Sequence, residues 1–247
     1  MNEFKGKIAS NVLIALIIGI AVVIAATVLA DGVVKIKSGN NRIIVTGSAK
    51  QQITSDLIVW TGSFTAKSPS LQEAYAQLEN EKIRVMDYLV KNGVPKDKIV
   101  FSSINTGTYY IILPNGQYTS DIDYYELYQT VTISSEEIDK ITEISRNVTE
   151  LINEGIQFQS NAPQYMYTKI ADMKVTMLAE ATKDARKRAE MITENAGSKL
   201  GELKYADMGV IQITPLYSNE VSDYGMNDTY SLEKEITAIV HCEFEIK

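Results

Sequence analysis

Residues 99–133 read IVFSSINTGTYYIILPNGQYTSDIDYYELYQTVTI, and this stretch decides the class of fold. Two runs rich in β-branched and aromatic residues flank Pro114-Asn115-Gly116, a tripeptide typical of a tight turn. The pattern predicts a β-hairpin with arms over 99–113 and 118–133, which are longer than most strands. A hairpin joins its strands without a crossover helix, so the sheet that contains it is antiparallel at this point.

Further β-type runs lie on both sides of the hairpin. Alternating or continuous apolar residues predict strands over 43–49 and 57–66 (joined around 50–54), near 156–168, and over 203–216 and 235–246. With the two arms of the hairpin, these runs supply every strand of the predicted sheet.

Capping residues and apolar periodicity predict three helices, over about 70–92, 134–155 and 171–196. Ser70 and Glu73 match a capping box at the start of the first helix. The resulting order is β-β-α-β-β-α-β-α-β-β. It indicates an α+β fold, with a largely antiparallel sheet of paired neighbouring strands and three helices packed on it.

The third helix has an alanine-rich inner face, which implies close packing. The members of this face are Met173, Met177, Ala181, Ala185, Ala189 and Ile192. On the outer face Asp184 can pair with Arg188, and Arg186 with Glu190, as expected of a solvated surface.

One N-terminal transmembrane helix is predicted to precede this fold, because residues 8–30 form a run of 23 positions without a charge. At about 1.5 Å per residue such a helix reaches roughly 34 Å, enough to cross a hydrocarbon core of about 30 Å. We predict a signal anchor over 8–30, a cytoplasmic N-terminus over 1–7, a linker over 31–41 and an extracytoplasmic domain over 42–247. The alternative is a signal peptide cleaved near Ala30, which exports the same domain as a secreted protein.

Net charge and cysteine content narrow the range of partners. The formal charge of −7 disfavours nucleic acid and anionic lipid surfaces. Cys242 is the only cysteine, which leaves no internal disulfide for the chain to form. It lies on the apolar face of the strand over 235–246 and is predicted to be buried and inert.

No pattern of catalytic, cofactor-binding or metal-ligating residues stands out. The only histidine, His241, adjoins Cys242, and successive strand residues point to opposite faces, so the two cannot form a dyad. One histidine and one cysteine are too few for a zinc site. Calcium is the open alternative, because acidic residues crowd the loop 218–231 and another group comprises Asp121, Asp123 and Glu126. We favour a solvated acidic loop.

Tyrosines concentrate on the predicted hairpin. The six candidate interface residues are Tyr109, Tyr110, Tyr118, Tyr124, Tyr125 and Tyr128. Tyrosine is enriched at interfaces because it combines a large rigid area with a polar tip. Ordinary cross-strand packing explains any single tyrosine equally well, whereas the whole set favours a contact surface.

Four segments resemble the SIMPL-domain family, formerly a domain of unknown function: IVTGSA over 44–49, SDLIV over 55–59, LVKNGV over 89–94 and AEATKDARKRAEMITENAGSKLG over 179–201. The resemblance covers about 42–247, and its alanine-rich helix is the most specific part. Ser55 stands where the family commonly has proline. The resemblance implies a secreted or envelope-anchored α+β protein, often oligomeric. It also implies roles in bacterial stress tolerance or surface antigenicity and in animal kinase signalling, with no settled enzymatic activity.

Three functions are therefore compared. The leading hypothesis is a membrane-anchored extracytoplasmic domain that forms homo-oligomers through its hairpin and sheet edges, with an envelope structural or stress-related role and no catalysis. The alternative is a tethered binding module for an envelope protein, a peptide or a cell-wall component. An enzyme that uses carboxylates and tyrosines alone has the least support, and it requires a deep pocket that gathers acidic groups.

Overall fold

A computed structural model describes residues 16–33 and 41–247. Its first element, α1 (Leu16–Val33), is a helix long and apolar enough to cross a membrane, as an anchor or a signal sequence would be. The helix continues through Asp31, past the predicted end at Ala30. Residues 8–15 of the predicted span and 34–40 of the predicted linker lie outside the described residues.

Fourteen further strands and helices follow α1 in the described chain. They are β1 (Arg42–Thr54), β2 (Leu57–Ser68), α2 (Leu71–Lys91), β3 (Ile99–Phe101), β4 (Asn105–Ile112), β5 (Tyr118–Ser135), α3 (Ile138–Asn147), β6 (Gln157–Ser160), β7 (Gln164–Met166), α4 (Ile170–Asn195), β8 (Leu200–Met208), β9 (Gln212–Pro215), β10 (Met226–Asn227) and β11 (Glu233–Ile246). Short 3-10 helices cover Lys96–Lys98 and Val148–Glu154. These elements form two compact units, each described below by itself.

The larger unit comprises Lys50–Met177 and Val210–Ala238. Its main sheet has the order β3-β5-β2-β6, with β4 also paired to β5 and β7 to β2, and every pair is antiparallel. In the same unit β9 pairs with β10 and with the start of β11. Helices α2 and α3 cover one face of the main sheet, because Leu78 of α2 and Ile141 of α3 belong to one buried cluster with Trp60 of β2.

The centre of this core depends on a glycine in β2. A Cβ atom at Gly62 would lie 2.4 Å from the Phe158 ring, so only glycine lets that ring lie across the strand. Phe158 in turn stacks against Phe64 and Trp60, with ring centroids 6.5 and 6.2 Å away. The Trp60 indole donates to Ser160 Oγ at 3.0 Å, which satisfies its one polar group.

The smaller unit is formed by three stretches of the chain, namely the described residues up to Ala49, Leu178–Gly209 and Ile239–Lys247. Within it the end of β11 pairs antiparallel with β8, and α4 lies against the start of β1. A Cβ atom at Gly47 would lie 2.1 Å from the Ala181 carbonyl oxygen and 2.6 Å from the Ala185 Cβ. Helix α4 can therefore approach β1 this closely only because Gly47 has no side chain at the point where Ala181 and Ala185 face it.

The α+β class and the antiparallel pairing predicted from the sequence are confirmed. The prediction of a single sheet with three helices is only partly correct. The described residues contain two sheets and, counting α1, four α-helices. The consecutive strands β1 and β2 were expected to pair with each other, but β1 pairs with β11 and β2 with β5. Both partners are distant in sequence, where a local pattern carries no pairing signal.

Several predicted elements divide into two. The second helix ends as α3 at Asn147 and continues as the 3-10 helix Val148–Glu154, which Gly155 terminates with a φ of 88°. The first arm of the hairpin divides into β3 and β4, the run 203–216 into β8 and β9, and the run 156–168 into β6 and β7.

On α4, the predicted inner face is buried at Met177, Ala181, Ala185 and Ala189. Ile192 is exposed, and Thr193 is buried in its place. The predicted Asp184–Arg188 and Arg186–Glu190 ion pairs are present at 2.8 and 2.9 Å. The Asp184 carboxylate also accepts the Ser48 N–H at 2.9 Å, so this residue joins α4 to β1 as well.

Candidate contact surface

The turn of the hairpin is built from local hydrogen bonds and one glycine. Gly116 N–H donates to the Leu113 carbonyl at 2.8 Å, and Leu113 N–H donates to the Gln117 carbonyl at 2.9 Å. Gly116 has a φ of 84°, the left-handed conformation that glycine adopts most easily. The Asn115 carboxamide oxygen accepts the Gln117 N–H at 3.1 Å. The predicted turn at Pro114-Asn115-Gly116 is therefore confirmed.

Beyond the end of β2 the hairpin is a two-stranded ribbon. Ser68, the last residue of β2, pairs with Tyr125, and further along only β4 and β5 pair with each other, as far as Ile112 and Tyr118. At about 3.3 Å per residue the part from Tyr125 to Tyr118 extends roughly 20 Å past β2. In this part of the ribbon only Tyr125, at its base, packs against the buried cluster that α2 and α3 cover.

Large side chains at the end of the ribbon are exposed, and most of them are apolar. We call the following residues the hairpin tip: Tyr110, Ile111, Ile112, Leu113, Tyr118 and Ile122, which are 42–74% exposed. The pairing of β4 with β5 is irregular here, with a shift of register between Tyr110 and Ile112, so simple alternation does not assign the tip side chains to faces. Its six members are uncharged, and the exposed carboxylates of Asp121 and Asp123 flank Ile122 on β5. Exposed apolar patches of this kind usually mark surfaces that bind a partner.

A second, polar cluster lies at the base of the ribbon, on the face away from the helices. The rings of Tyr109 and Tyr124 are stacked, with centroids 4.7 Å apart and planes inclined by 13°. Lys67 Nζ lies 5.2 Å from the Tyr124 ring centroid and 3.0 Å from a Glu126 carboxylate oxygen. A Cβ atom at Gly107 would lie 3.0 Å from the Tyr109 ring, so glycine leaves room for that ring beside the strand.

The charges of this cluster stabilise one another. Hydrogen bonding from the Tyr109 hydroxyl and from Lys67 lowers the pKa of Glu126. Hydrogen bonding to Glu126 in turn raises the pKa values of Lys67 and Tyr109. At neutral pH the cluster therefore contains a carboxylate, an ammonium group and a neutral tyrosine. It fixes the base from which the ribbon extends.

The six tyrosines predicted as interface residues have different surroundings. Tyr109 and Tyr124 belong to the cluster at the base, and Tyr110 and Tyr118 belong to the hairpin tip. Tyr128 is 44% exposed. Tyr125 is half-buried against the core, so its role is structural packing at least in part.

Sequence reasoning missed the apolar part of the tip. It treated 110–113 only as the end of a strand arm, although Tyr-Ile-Ile-Leu breaks the apolar–polar alternation expected of a strand with one buried face. That break was the available signal. A continuous apolar run of this kind belongs either to a fully buried strand or, as here, to an exposed one.

A shallow apolar groove lies on the helix side of the sheet, where the hairpin leaves it. It has a volume of about 460 Å³ and is lined by Leu71, Gln72, Tyr75, Ile104, Thr106 and Leu127. Leu71 and Tyr75, at the start of α2, are 40% and 51% exposed, and Leu127 forms the buried floor. We call these residues the α2 groove. Its lining contains no charged side chain.

In the acidic loop 218–231 the Asp228 carboxylate forms hydrogen bonds within the loop itself. Asp228 accepts the N–H groups of Tyr230 and Ser231, at 2.8 and 3.3 Å. The buried Lys234 ammonium donates to the carbonyl groups of Asp228 and Tyr165, and burial lowers the pKa of this lysine. Within residues 16–33 and 41–247 no three histidine, cysteine, aspartate or glutamate side chains are placed to hold one metal ion.

His241 and Cys242 lie on opposite faces of β11, as predicted. The His241 ring is exposed, and its Nδ1 lies 3.0 Å from Thr46 Oγ1. Cys242 is buried, and burial raises the pKa of its thiol, which keeps it protonated. The two side chains point away from each other across the strand, so His241 is not placed to act as a base toward the Cys242 thiol.

Fold and surface together define an α+β protein with an apolar N-terminal helix, largely antiparallel sheets and a protruding hairpin. The chain belongs to the SIMPL family, whose model, described as a protein of unknown function (DUF541), matches residues 43–244. A comparison with curated proteins gave no match. Because the family description names no function, a function for this chain has to be argued from its own geometry.

Proposed function

We propose that this chain is a membrane-anchored, extracytoplasmic SIMPL-domain protein that self-assembles through its hairpin and has a structural or stress-related role in the cell envelope. The observation that carries the proposal is the hairpin tip. It combines several exposed apolar side chains with a position outside the packed core. A monomer gains nothing from such a ribbon, whereas an assembly buries it.

The cost of leaving the tip in water supports this reasoning. Burying one large apolar side chain contributes about 1.5–3 kcal/mol, and the six tip residues are each about half exposed. The tip therefore offers several kcal/mol to a partner that covers it. The ribbon is also held in one direction by its base cluster and its hydrogen-bonded turn, so little conformational entropy is lost on contact.

The proposed location rests on α1 and on family membership. An apolar helix of this length is compatible with an anchor, and an anchored domain outside the cytoplasm meets other copies in two dimensions at high effective concentration. No catalytic step is part of the proposal. The role assigned to the domain is to join copies at the membrane.

The test measures the mass of the full chain in detergent micelles by light scattering over a range of protein concentrations. We expect a discrete oligomer for the natural sequence and a smaller species for the double variant Ile111→Ser/Leu113→Ser. The matched control is Val100→Ser, an exposed apolar residue on β3 of the same sheet. A single mass shared by all three proteins would overturn the proposal.

A second candidate function is a tethered binding module for an envelope protein, a peptide or a cell-wall component. The loop between β9 and β11 favours it, because Tyr217, Val221 and Tyr224 are 84%, 80% and 96% exposed. The two functions differ in their variants. Tyr224→Ser should remove capture of an envelope partner and leave the mass of the protein unchanged, whereas the tip variant should do the opposite.

A further inference from the structure

The sequence contains two Asn-Gly pairs, Asn92-Gly93 and Asn115-Gly116. Asparagine before glycine is prone to lose its side-chain amide without an enzyme, because glycine has no Cβ to obstruct the ring that forms. Both asparagines are exposed to solvent. Access of water therefore does not distinguish the two pairs, whereas the hydrogen bonds and the packing of the backbone around them do.

Loss of the amide takes two steps. The glycine backbone nitrogen, after giving up its proton, attacks Cγ of the asparagine. A bond from nitrogen to Cγ forms, the bond from Cγ to Nδ2 breaks, and ammonia leaves a five-membered succinimide ring. Water then opens the ring at one of its two carbonyl carbons, which yields aspartate or isoaspartate. One water enters, one ammonia leaves, and a neutral carboxamide becomes a carboxylate.

The surroundings of Asn92 oppose this reaction. Asn92 caps α2, and both its backbone N–H and its Nδ2 donate to the Tyr88 carbonyl, at 3.1 and 2.8 Å. Gly93 N–H donates to the Val90 carbonyl at 2.9 Å, and the next residue, Val94, is buried in the core. The attacking nitrogen and the leaving group are therefore both held at the end of a packed helix. Freeing them requires that part of the core opens.

The surroundings of Asn115 favour the reaction. Its turn lies at the end of the ribbon, outside the buried cluster, and can open without disturbing the core. The attacking nitrogen has to leave one hydrogen bond, from Gly116 N–H to the Leu113 carbonyl, and Nδ2 donates to the exposed Gln117 side chain. Asn115 Oδ1 accepts the Gln117 N–H at 3.1 Å. This bond stabilises the negative charge that develops on Oδ1 during the attack.

We propose that Asn115 deamidates spontaneously whereas Asn92 stays intact, so that the turn of the hairpin gains one carboxylate per copy as the protein ages. The new charge adds to those of Asp121 and Asp123 on the same ribbon. The consequence for assembly rests on the proposed function. A partner that covers the hairpin tip would have to desolvate this carboxylate, so aged copies assemble less readily than fresh ones.

Peptide mapping by mass spectrometry tests the site. The full chain is kept in detergent micelles at mildly alkaline pH and sampled over several weeks, and aspartate and isoaspartate peptides are separated by chromatography. Asn115 should react roughly tenfold or more faster than Asn92, because the rate follows the population of opened backbone. The control is the same chain in guanidinium chloride, where the two pairs should react at similar rates. Equal rates in the folded chain, or an Asn115 that stays intact while the denatured control reacts, would overturn the assignment.

The consequence for assembly has its own test, light scattering of Asn115→Asp beside the neutral control Asn115→Gln. Asn115→Asp should need several times more protein to assemble than the natural chain, and Asn115→Gln should assemble like it. Equal assembly of the two variants would overturn the effect of the charge. A natural chain that does not assemble at any concentration would overturn the proposed function and this consequence together, while the peptide map would still decide whether Asn115 is the modified residue.

Discussion

A single backbone contact in the smaller unit is sensitive to one methyl group. Gly47→Ala would place its Cβ 2.1 Å from the Ala181 carbonyl oxygen, so β1 and α4 must move apart. We expect the free energy of unfolding to fall by about 1–3 kcal/mol, the usual cost of overpacking. The urea midpoint followed by circular dichroism measures this effect. Gln52→Ala, at an exposed position of the same strand, is the control, and equal midpoints would show that the contact adapts without cost.

Glu81 is the residue whose charge state should control stability in the larger unit. It is 4% exposed, its Oε1 accepts from Gln77 at 2.8 Å, and its Oε2 has no partner among the described residues. Burial raises the pKa of this carboxyl group. The folded chain therefore holds this proton more tightly than the unfolded chain. Stability from this residue is complete below the ordinary pKa of glutamate and is lost as pH rises through the raised value.

Glu81→Gln should remove this pH dependence and raise the stability at neutral pH, because a neutral amide keeps the contact with Gln77 without a buried charge. Urea midpoints measured between pH 4 and pH 8 provide the comparison. Asp87→Asn removes an exposed carboxylate from the same helix and is expected to leave the profile unchanged. A natural chain whose stability does not fall with pH over this range would contradict the prediction.

At the scale of elements, the hairpin depends on the left-handed conformation of Gly116. Gly116→Val forces a β-branched residue into this conformation, at a cost of about 1–2 kcal/mol or more. The ribbon beyond β2 packs on no helix, so this cost should fray the ribbon and leave the core intact. Hydrogen exchange should rise for amides between 108 and 124 and stay unchanged in β2. Gln117→Val in the same turn is the control, and equal exchange in both variants would contradict the role of the glycine.

The elements also show what a sequence can and cannot predict. Periodicity and turn residues were sufficient for the hairpin, for α2 and for the alanine face of α4, because each of these is a local pattern with one buried side. Pairing between β1 and β11 was missed because the two strands are almost two hundred residues apart. The division of α3 at Asn147 was missed because an apolar face continues into the 3-10 helix, where Val148 and Leu151 remain buried.

The candidate site follows the same rule. The sequence identified the interface tyrosines because so many of them fall in one segment. The predicted hairpin then placed them on the strands β4 and β5. The α2 groove was out of reach of sequence reasoning, since Leu71 and Tyr75 of α2 meet Ile104 and Leu127 only through the packing of a helix on a sheet. No local sequence pattern marks Gly47 or Gly62. Their role depends on the rings and helix backbone that approach them.

At the scale of the whole molecule, the proposed assembly requires that α1 stays attached. An anchor keeps the copies in one membrane, where weak contacts gain from effective concentration, whereas a cleaved signal would release copies that must associate in free solution. The chain, expressed in full in bacteria, should remain in the membrane fraction after alkaline carbonate extraction. Its intact mass should include residues 16–33.

The position of the domain relative to the membrane can be read in the same cells. A protease added outside spheroplasts should digest the part after α1 and spare a reporter fused before Met1. Replacing Val22 and Val23 in α1 by lysine provides the control, because two charges at the centre of an apolar span cost several kcal/mol and should release the protein from the membrane. A soluble product that lacks α1 in the natural chain would instead support secretion. The hairpin tip would then have to hold copies together without an anchor, and the concentration at which the released domain assembles would decide whether its exposed apolar side chains are sufficient.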